Sequence, residues 1–228
     1  MSKKNIVVSF SGKDSTLALH DLLNSDEFEV DSLMTTVTDA YNRTSIHGVR
    51  EELLVAQAKS IGLPLRIVRI PQNCSNEKYN EIMTEAIHKI KSDGIKHIAF
   101  GDIFLEDIRK YREDMLKNTG VVPIFPIWGV DTSEILNRFL LLGYKTIISC
   151  VDLTKLGKEF SGQKIDNDFV HNIPKEIDPC GEYGEYHSFV YDGPIFKSGI
   201  NFTIGEKKVA PDLMTGEDRF CFTDLIRI

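Results

Sequence analysis

Between residues 5 and 127, five short apolar runs alternate with four stretches whose apolar residues recur at helical spacing. The runs are 5–10, 29–38, 65–70, 96–100 and 121–127; the helical stretches are 14–24, 47–61, 77–92 and 104–118. This alternation leaves few options. Strands joined through helices run parallel, and a parallel sheet needs helices on both faces to cover it. Leu17, Ala18 and Leu22 mark the apolar side of the first helix, and Tyr79, Ile82, Ala86 and Ile90 that of the third. Gly62 with Pro64 stops the second helix and Gly94 stops the third. Pro123 and Pro126 cannot donate to a ladder, so the fifth strand belongs on an edge. The expected fold class is α/β: a doubly wound, mostly parallel five-stranded sheet, with a second, smaller α+β domain after it.

The pattern changes at Trp128. Asp131 with Glu134 makes a capping box for a helix carrying Ile135, Leu136, Phe139 and Leu140, closed by Gly143. A strand is expected at 144–151, then a turn-rich segment, DPCGEYGEY (178–186), and strands at 187–191, 200–204 and 219–222. We therefore expect a first domain over 1–127 and a second over 128–228. At 228 residues the chain is long for one core and short for two full ones. A net charge of −7 argues against a broad grip on nucleic acid, which needs clustered Lys and Arg. No apolar stretch approaches the ~20 residues of a membrane span. The start, MSKKNIVVSF, turns polar too soon for a signal peptide. Four scattered cysteines without a CxxC pair fit reduced thiols in a cytoplasmic protein.

The first strand runs into SFSGKDSTLAL (9–19), a small loop opening a helix. It is not a Walker A loop: Val7 stands where the first glycine should be, and Asp14 where Ser or Thr would hold Mg²⁺. A dinucleotide G-x-G-x-x-G is absent too. What remains is Ser11, Gly12, Lys13, Asp14 and Ser15 at a strand-to-helix turn, where ligands of such sheets collect. Backbone N–H groups and the Ser11 and Ser15 hydroxyls can donate to phosphate oxygens, and Lys13 adds positive charge. Asp14 either caps the helix or binds a metal. The plain alternative is an ordinary capped helix start.

SGKDS at this place resembles the pyrophosphatase-type PP-loop, S-G-G-x-D-S. Together with HGVRxELL (47–54), GDIFLEDIRxYRE (101–113), PIFPIW (123–128) and DPCGEYGEYHSFVYDGP (178–194), it resembles the diphthine–ammonia ligase family, in particular its bacterial-type branch. Phe10 departs from the loop pattern and is expected in the sheet core. The resemblance implies a nucleotide-binding (HUP, Rossmann-like) domain followed by a substrate-binding domain, with ATP and Mg²⁺ as cofactors. It implies an AMP-forming ligase that adenylates a carboxylate and passes it to ammonia. The acceptor is a small-molecule or protein-borne carboxylate, in the family proper diphthine on an elongation factor, and a homodimer is left open. Two alternatives stay in view: a nucleotide-binding or ATP-hydrolysing protein without diphthine activity, and a tRNA-modifying PP-loop enzyme.

Under this resemblance the nucleotide falls to Ser11, Gly12, Lys13, Asp14 and Ser15, to Thr36 near the end of the second strand, and to His47, Arg50, Gly101 and Asp102. Asp14 is the Mg²⁺ ligand. His47 and Arg50, three apart at an expected helix start, face one site; alone they would read as a cap and a solvated cation. Asp102 would bind Mg²⁺ or a ribose hydroxyl, or else cap the next helix. Catalysis falls to Lys13, Arg109, Glu185 and His187, with the cations stabilising the leaving pyrophosphate. Substrate binding falls to Arg112, Trp128, Glu182 and Tyr186. Cys180 reads as structural.

Overall fold

The computed structural model describes residues 3–211 and 216–228. Its first sheet holds five parallel strands in the order β3-β2-β1-β4-β5. These are β1 (Lys4–Ser9), β2 (Phe28–Thr38), β3 (Leu65–Ile70), β4 (His97–Ala99) and β5 (Val122–Ile124). The helices α1 (Lys13–Leu23), α2 (Glu51–Ile61), α3 (Asn76–Ser92) and α4 (Glu106–Leu116) alternate with them. The strand order winds outward from β1 to β3, then returns to start again at β4. With right-handed crossovers this reversal puts α1 on one face and α3 and α4 on the other. The α/β, doubly wound expectation is met, and Pro123 lies in an edge strand as expected.

Burial explains why these segments form these elements. Ile6, Val7 and Val8 are fully buried in β1, as a strand covered on both faces requires. Met83, Ile87 and Ile90 of α3 pack with Val7, Val68 and Ile98 of the sheet. Ser75 caps α3 by accepting from the Lys78 N–H at 3.2 Å. Phe10, 2% exposed, is part of the core, and its N–H donates to the Met34 carbonyl at 2.8 Å.

The C-terminal elements are α5 (Thr132–Leu141), β6 (Lys145–Asp152), a short 3-10 turn (Lys158–Phe160), β7 (Lys164–Ile165), α6 (Asn167–Asn172), β8 (Tyr186–Asp192), β9 (Phe202–Pro211) and β10 (Asp218–Arg227). Asp131 caps α5, accepting from the N–H groups of Ser133 and Glu134 at 2.9 and 3.2 Å. The second sheet is antiparallel: β6 pairs with β7, β8 and β10, and β10 with β9. The turn at 158–160, β7 and α6 escape the sequence reading, and β9 and β10 are longer than expected.

The chain divides into two compact units. The first contains residues up to Phe10, Asp14–Asn42 and Leu63–Val130; the second contains Ser11–Lys13, Arg43–Gly62 and Asp131–Ile228. No helix of the described residues is long and apolar enough to cross a membrane.

Candidate functional site

In the second unit, Gly12 and Lys13 meet residues from two distant stretches. The Lys13 N–H donates to Ser188 Oγ at 3.2 Å, and the Ser188 carbonyl lies 3.1 Å from His47 Nδ1. A carbonyl only accepts, so Nδ1 carries the proton and Nε2 keeps the lone pair. A Cβ on Gly12 would lie 2.8 Å from His47 Cε1 and 3.2 Å from the Ser188 carbonyl. Glycine is required here by close approach. Lys13 is 3% exposed; its Nζ donates to the Cys180 carbonyl and lies 5.2 Å from the centre of the Tyr186 ring. The chain thus holds a lysine ammonium between a carbonyl and an aromatic face.

His47 and His187 are a tilted ring pair, 4.8 Å between centroids. Burial lowers the His47 pKa to about 4, with the Lys13 charge adding to the effect and the Ser188 hydrogen bond opposing it. Burial also pushes His187 well below the ordinary value, reinforced by His47 and Lys13. Both rings are therefore neutral near pH 7 and can accept a proton.

The segment 178–186 is a pair of turns organised by Asp178. Its Oδ1 accepts from the N–H groups of Cys180 (2.9 Å) and Glu182 (3.1 Å), and its Oδ2 from the Thr132 hydroxyl (2.7 Å). The Asp178 N–H donates to Glu185 Oε1 at 3.3 Å. Glu185 is 3% exposed, and its Oε2 is buried with no hydrogen-bond partner among the described residues. Tyr186 donates its hydroxyl to the Pro179 carbonyl at 2.5 Å. Cys180 is a buried thiol donating to the Thr132 carbonyl, which fits a structural role.

The expectation that His47 and Arg50 share a helix start is corrected. The second helix begins at Glu51, because the Thr44 N–H donates to the Val49 carbonyl, the Val49 N–H to Thr44 Oγ1 and the Gly48 N–H to the Thr44 carbonyl, while Gly48 adopts φ +66°. Those groups are then unavailable to a helix. Arg50 lies instead on Asp224, donating Nε and Nη2 at 2.9 and 2.7 Å, and Arg43 adds a third bond at 2.8 Å. The Arg50 hydrogen bond, with that of Arg43, holds the Asp224 carboxyl at about 2 against its partial burial. Nothing in the sequence pattern links Asp224 to these arginines.

In the first unit, Asp14, Ser15, Gly101 and Asp102 come together where the strand order reverses, after β1 and β4. A Cβ on Gly101 would lie 2.6 Å from the Ser15 nitrogen and 2.8 Å from the Asp14 carbonyl carbon. The chain after β4 therefore rests directly on the first turn of α1. Asp102 has a raised pKa, chiefly from burial and partly from the Asp14 charge, while Arg112 opposes the rise from 3.4 Å. Arg112 also lies 5.0 Å from the Phe100 ring centre. Arg109 sits 4.9 Å from Phe125 and 4.7 Å from Trp128, and donates to Glu113 at 2.8 Å. Thr36 is ladder-paired with Val68 near the end of β2.

A family model described as the diphthamide synthase N-terminal domain matches residues 3–123, and one described as its C-terminal domain matches 131–215. A diphthine–ammonia ligase of Schizosaccharomyces pombe is 30% identical over 114 residues, covering 48% of this chain and 19% of that protein. A diphthine–ammonia ligase of Danio rerio is 23% identical over 227 residues, covering 91% of this chain and 84% of that protein. The chain thus spans about a fifth of the yeast relative and most of the fish one. Among solved structures, one described as a predicted subunit of tRNA methyltransferase from Methanocaldococcus jannaschii aligns with a TM-score of 0.44 at 15% identity, over 62% of this chain and 77% of that one. A U34-tRNA thiolase from Methanococcus maripaludis, solved with its 4Fe-4S cluster, aligns at 0.37 and 17% identity, over 63% and 58%.

Proposed function

Because this chain belongs to the diphthamide synthase family, we propose that it is an ATP-dependent ligase that adenylates a carboxylate and passes it to ammonia. The observation that carries the reading is the meeting of Gly12 and Lys13 of the phosphate loop with His47, Ser188, Cys180 and Tyr186. Residues up to 127 serve the nucleotide in this reading, and residues from 128 on serve the acceptor.

The carboxylate oxygen attacks the α-phosphorus, the bond to the β-phosphate oxygen breaks, and pyrophosphate leaves. Lys13 and Arg109 stabilise the charge on the leaving group. Ser11, Ser15 and the first N–H groups of α1 hold the phosphates. Asp14 and Asp102, close enough for their charges to interact, would hold Mg²⁺, which neutralises phosphate charge. The described residues contain no cage of three or more His, Cys, Asp or Glu. Ammonia then attacks the acyl carbon, the bond to AMP breaks, and the nitrogen loses a proton to Glu185 or to the neutral His187. Arg112, Trp128, Glu182 and Tyr186 bind the acceptor, and diphthine is the acceptor to test first.

The test is incubation with Mg²⁺, ammonium and α-labelled ATP, with and without diphthine-bearing elongation factor and a panel of small carboxylic acids. Acceptor-dependent AMP and pyrophosphate are expected. Release of ADP and phosphate, or no nucleotide turnover with any acceptor, would refute adenylation.

A further inference from the structure

We propose that Asp224, on β10, is a positioning residue for the phosphate loop: it clamps the two ends of the 43–50 turn and thereby holds His47 against Gly12. The benefit to a nucleotide rests on the ligase reading, while the clamp itself rests on the geometry.

The 43–50 segment is a closed turn. Arg43 and Arg50 face each other as an antiparallel bridge. Inside that stem the Thr44 N–H donates to the Val49 carbonyl and the Gly48 N–H to the Thr44 carbonyl. Two arginines side by side at the mouth of a turn repel each other unless an anion joins them. Asp224 does so: its Oδ1 accepts from Arg43 Nη2 at 2.8 Å and Arg50 Nε at 2.9 Å, and its Oδ2 from Arg50 Nη2 at 2.7 Å. Arg43 also reaches across the turn, donating Nη1 to the Gly48 carbonyl at 2.9 Å. Two residues before Asp224, Phe222 lies against Gly48, where any Cβ would collide with its ring. β10 therefore grips the stem through charge and Gly48 through contact. Forked, charge-assisted bonds of this kind fix geometry as well as energy.

His47 stands next to Gly48 in the chain. Its Nδ1 donates to the Ser188 carbonyl at 3.1 Å, and a Cβ on Gly12 would lie 2.8 Å from its Cε1. Ser188 belongs to β8 and Asp224 to β10, and β6 pairs with both strands. One sheet thus sets both the grip on the turn and the acceptor for its histidine. β10 follows residue 215, where the matched family domain ends, so that match gives Asp224 no part. Glu52 lies 3.8 Å from Arg50, and the charged or titratable neighbours of His47 are Lys13 and His187.

The test follows the His47 ring by NMR in the full chain without nucleotide, reading its pKa and its Nδ1–H tautomer. The pKa is held at about 4 chiefly by burial. In Asp224→Asn the turn loses its clamp and the ring meets water, so the pKa should rise towards 6.5 and the single tautomer should be lost. Removing a negative charge would by itself lower an imidazolium pKa, so a rise reports displacement of the ring. Arg50→Lys keeps the charge but not the fork and should move the ring the same way, which keeps the clamp testable if Asp224→Asn does not fold. Asp224→Glu should restore most of the wild-type behaviour. Asp131→Ala removes the α5 cap, a loss of stability alone, and should leave the ring unchanged. ATP affinity, titrated alongside, should fall about tenfold in Asp224→Asn, the scale of one lost contact. An unmoved His47 in Asp224→Asn and Arg50→Lys, or an equal change in Asp131→Ala, would overturn the positioning role. A displaced ring with wild-type ATP affinity would uphold the clamp and refute the nucleotide reading of this loop.

Discussion

Acidification from pH 7 to pH 5 should destabilise this protein through His47. The pKa of this ring falls from an ordinary 6.5 to about 4 in the fold, because burial disfavours the imidazolium and Lys13 repels it. The unfolded chain therefore binds more protons than the folded one between those values. Stability is complete above about pH 6.5 and falls as the pH drops towards 4. Linkage puts the loss between pH 7 and 5 at about 1–2 kcal/mol once the ring's partial exposure is discounted. In a chain of this size that is roughly 2–8 °C in Tm. His187 shifts in the same direction and adds to the loss. The Asp224 carboxyl titrates near 2, outside the window. The assay is urea unfolding at pH 7, 6 and 5 for wild type, His47→Asn, and the double variant with His187→Asn. The wild type should lose more stability than His47→Asn over this range, and the double variant should show the flattest profile. Parallel profiles for all three would refute the buried, neutral His47.

Three further outcomes are expected. Lys13→Ala should weaken ATP binding or turnover while leaving the thermal transition within about 1–2 kcal/mol of wild type, the scale of a lost hydrogen bond and ring contact; calorimetric titration with ATP and a melting curve check both. Gly101→Ala drives a Cβ to 2.6 Å from the Ser15 nitrogen, so it should cost about 1–3 kcal/mol of overpacking and weaken ATP binding; unaltered affinity would remove the first turn of α1 from the phosphate site. Asp178→Ala should destabilise by roughly 1–3 kcal/mol and loosen amide protection at 180–186, whereas Asp178→Asn, which keeps an acceptor for the two N–H groups, should retain most of both.

The parallel sheet was legible because its strands are buried on both faces and therefore written as continuous apolar runs. The expected limits of β2 and β3 fall within a residue of the observed ones. The long pair β9 and β10 was less visible, since much of β9 is exposed and shows no apolar alternation. At 47–50 helical spacing misled: apolar periodicity does not register the Thr44–Val49 hydrogen bonds or the left-handed backbone of Gly48. The motif residues of the loop and of 178–187 were legible one by one, but not their partners. Ser188 holds both Lys13 and His47 from 175 and 141 residues away, a pairing that only the fold creates. Asp178 could have been found. An aspartate followed by Pro-Cys-Gly carries the signature of a side chain bonding forward to its own turn.

The order in which the chain contributes to its two units has a consequence for how the protein can be divided. Ser11–Lys13 and Arg43–Gly62 belong with the C-terminal unit, so the chain passes from one unit to the other five times. A fragment beginning at Asp131 would lack Gln57 and Ser60, which donate to the Val190 and Ser198 carbonyls. It would also lack His47 and Lys13 on β8. Such a protein cannot be divided at a single junction without parting residues 11–13 and 43–62 from the C-terminal stretch they bond, and during synthesis those two short segments precede their partners by more than a hundred residues.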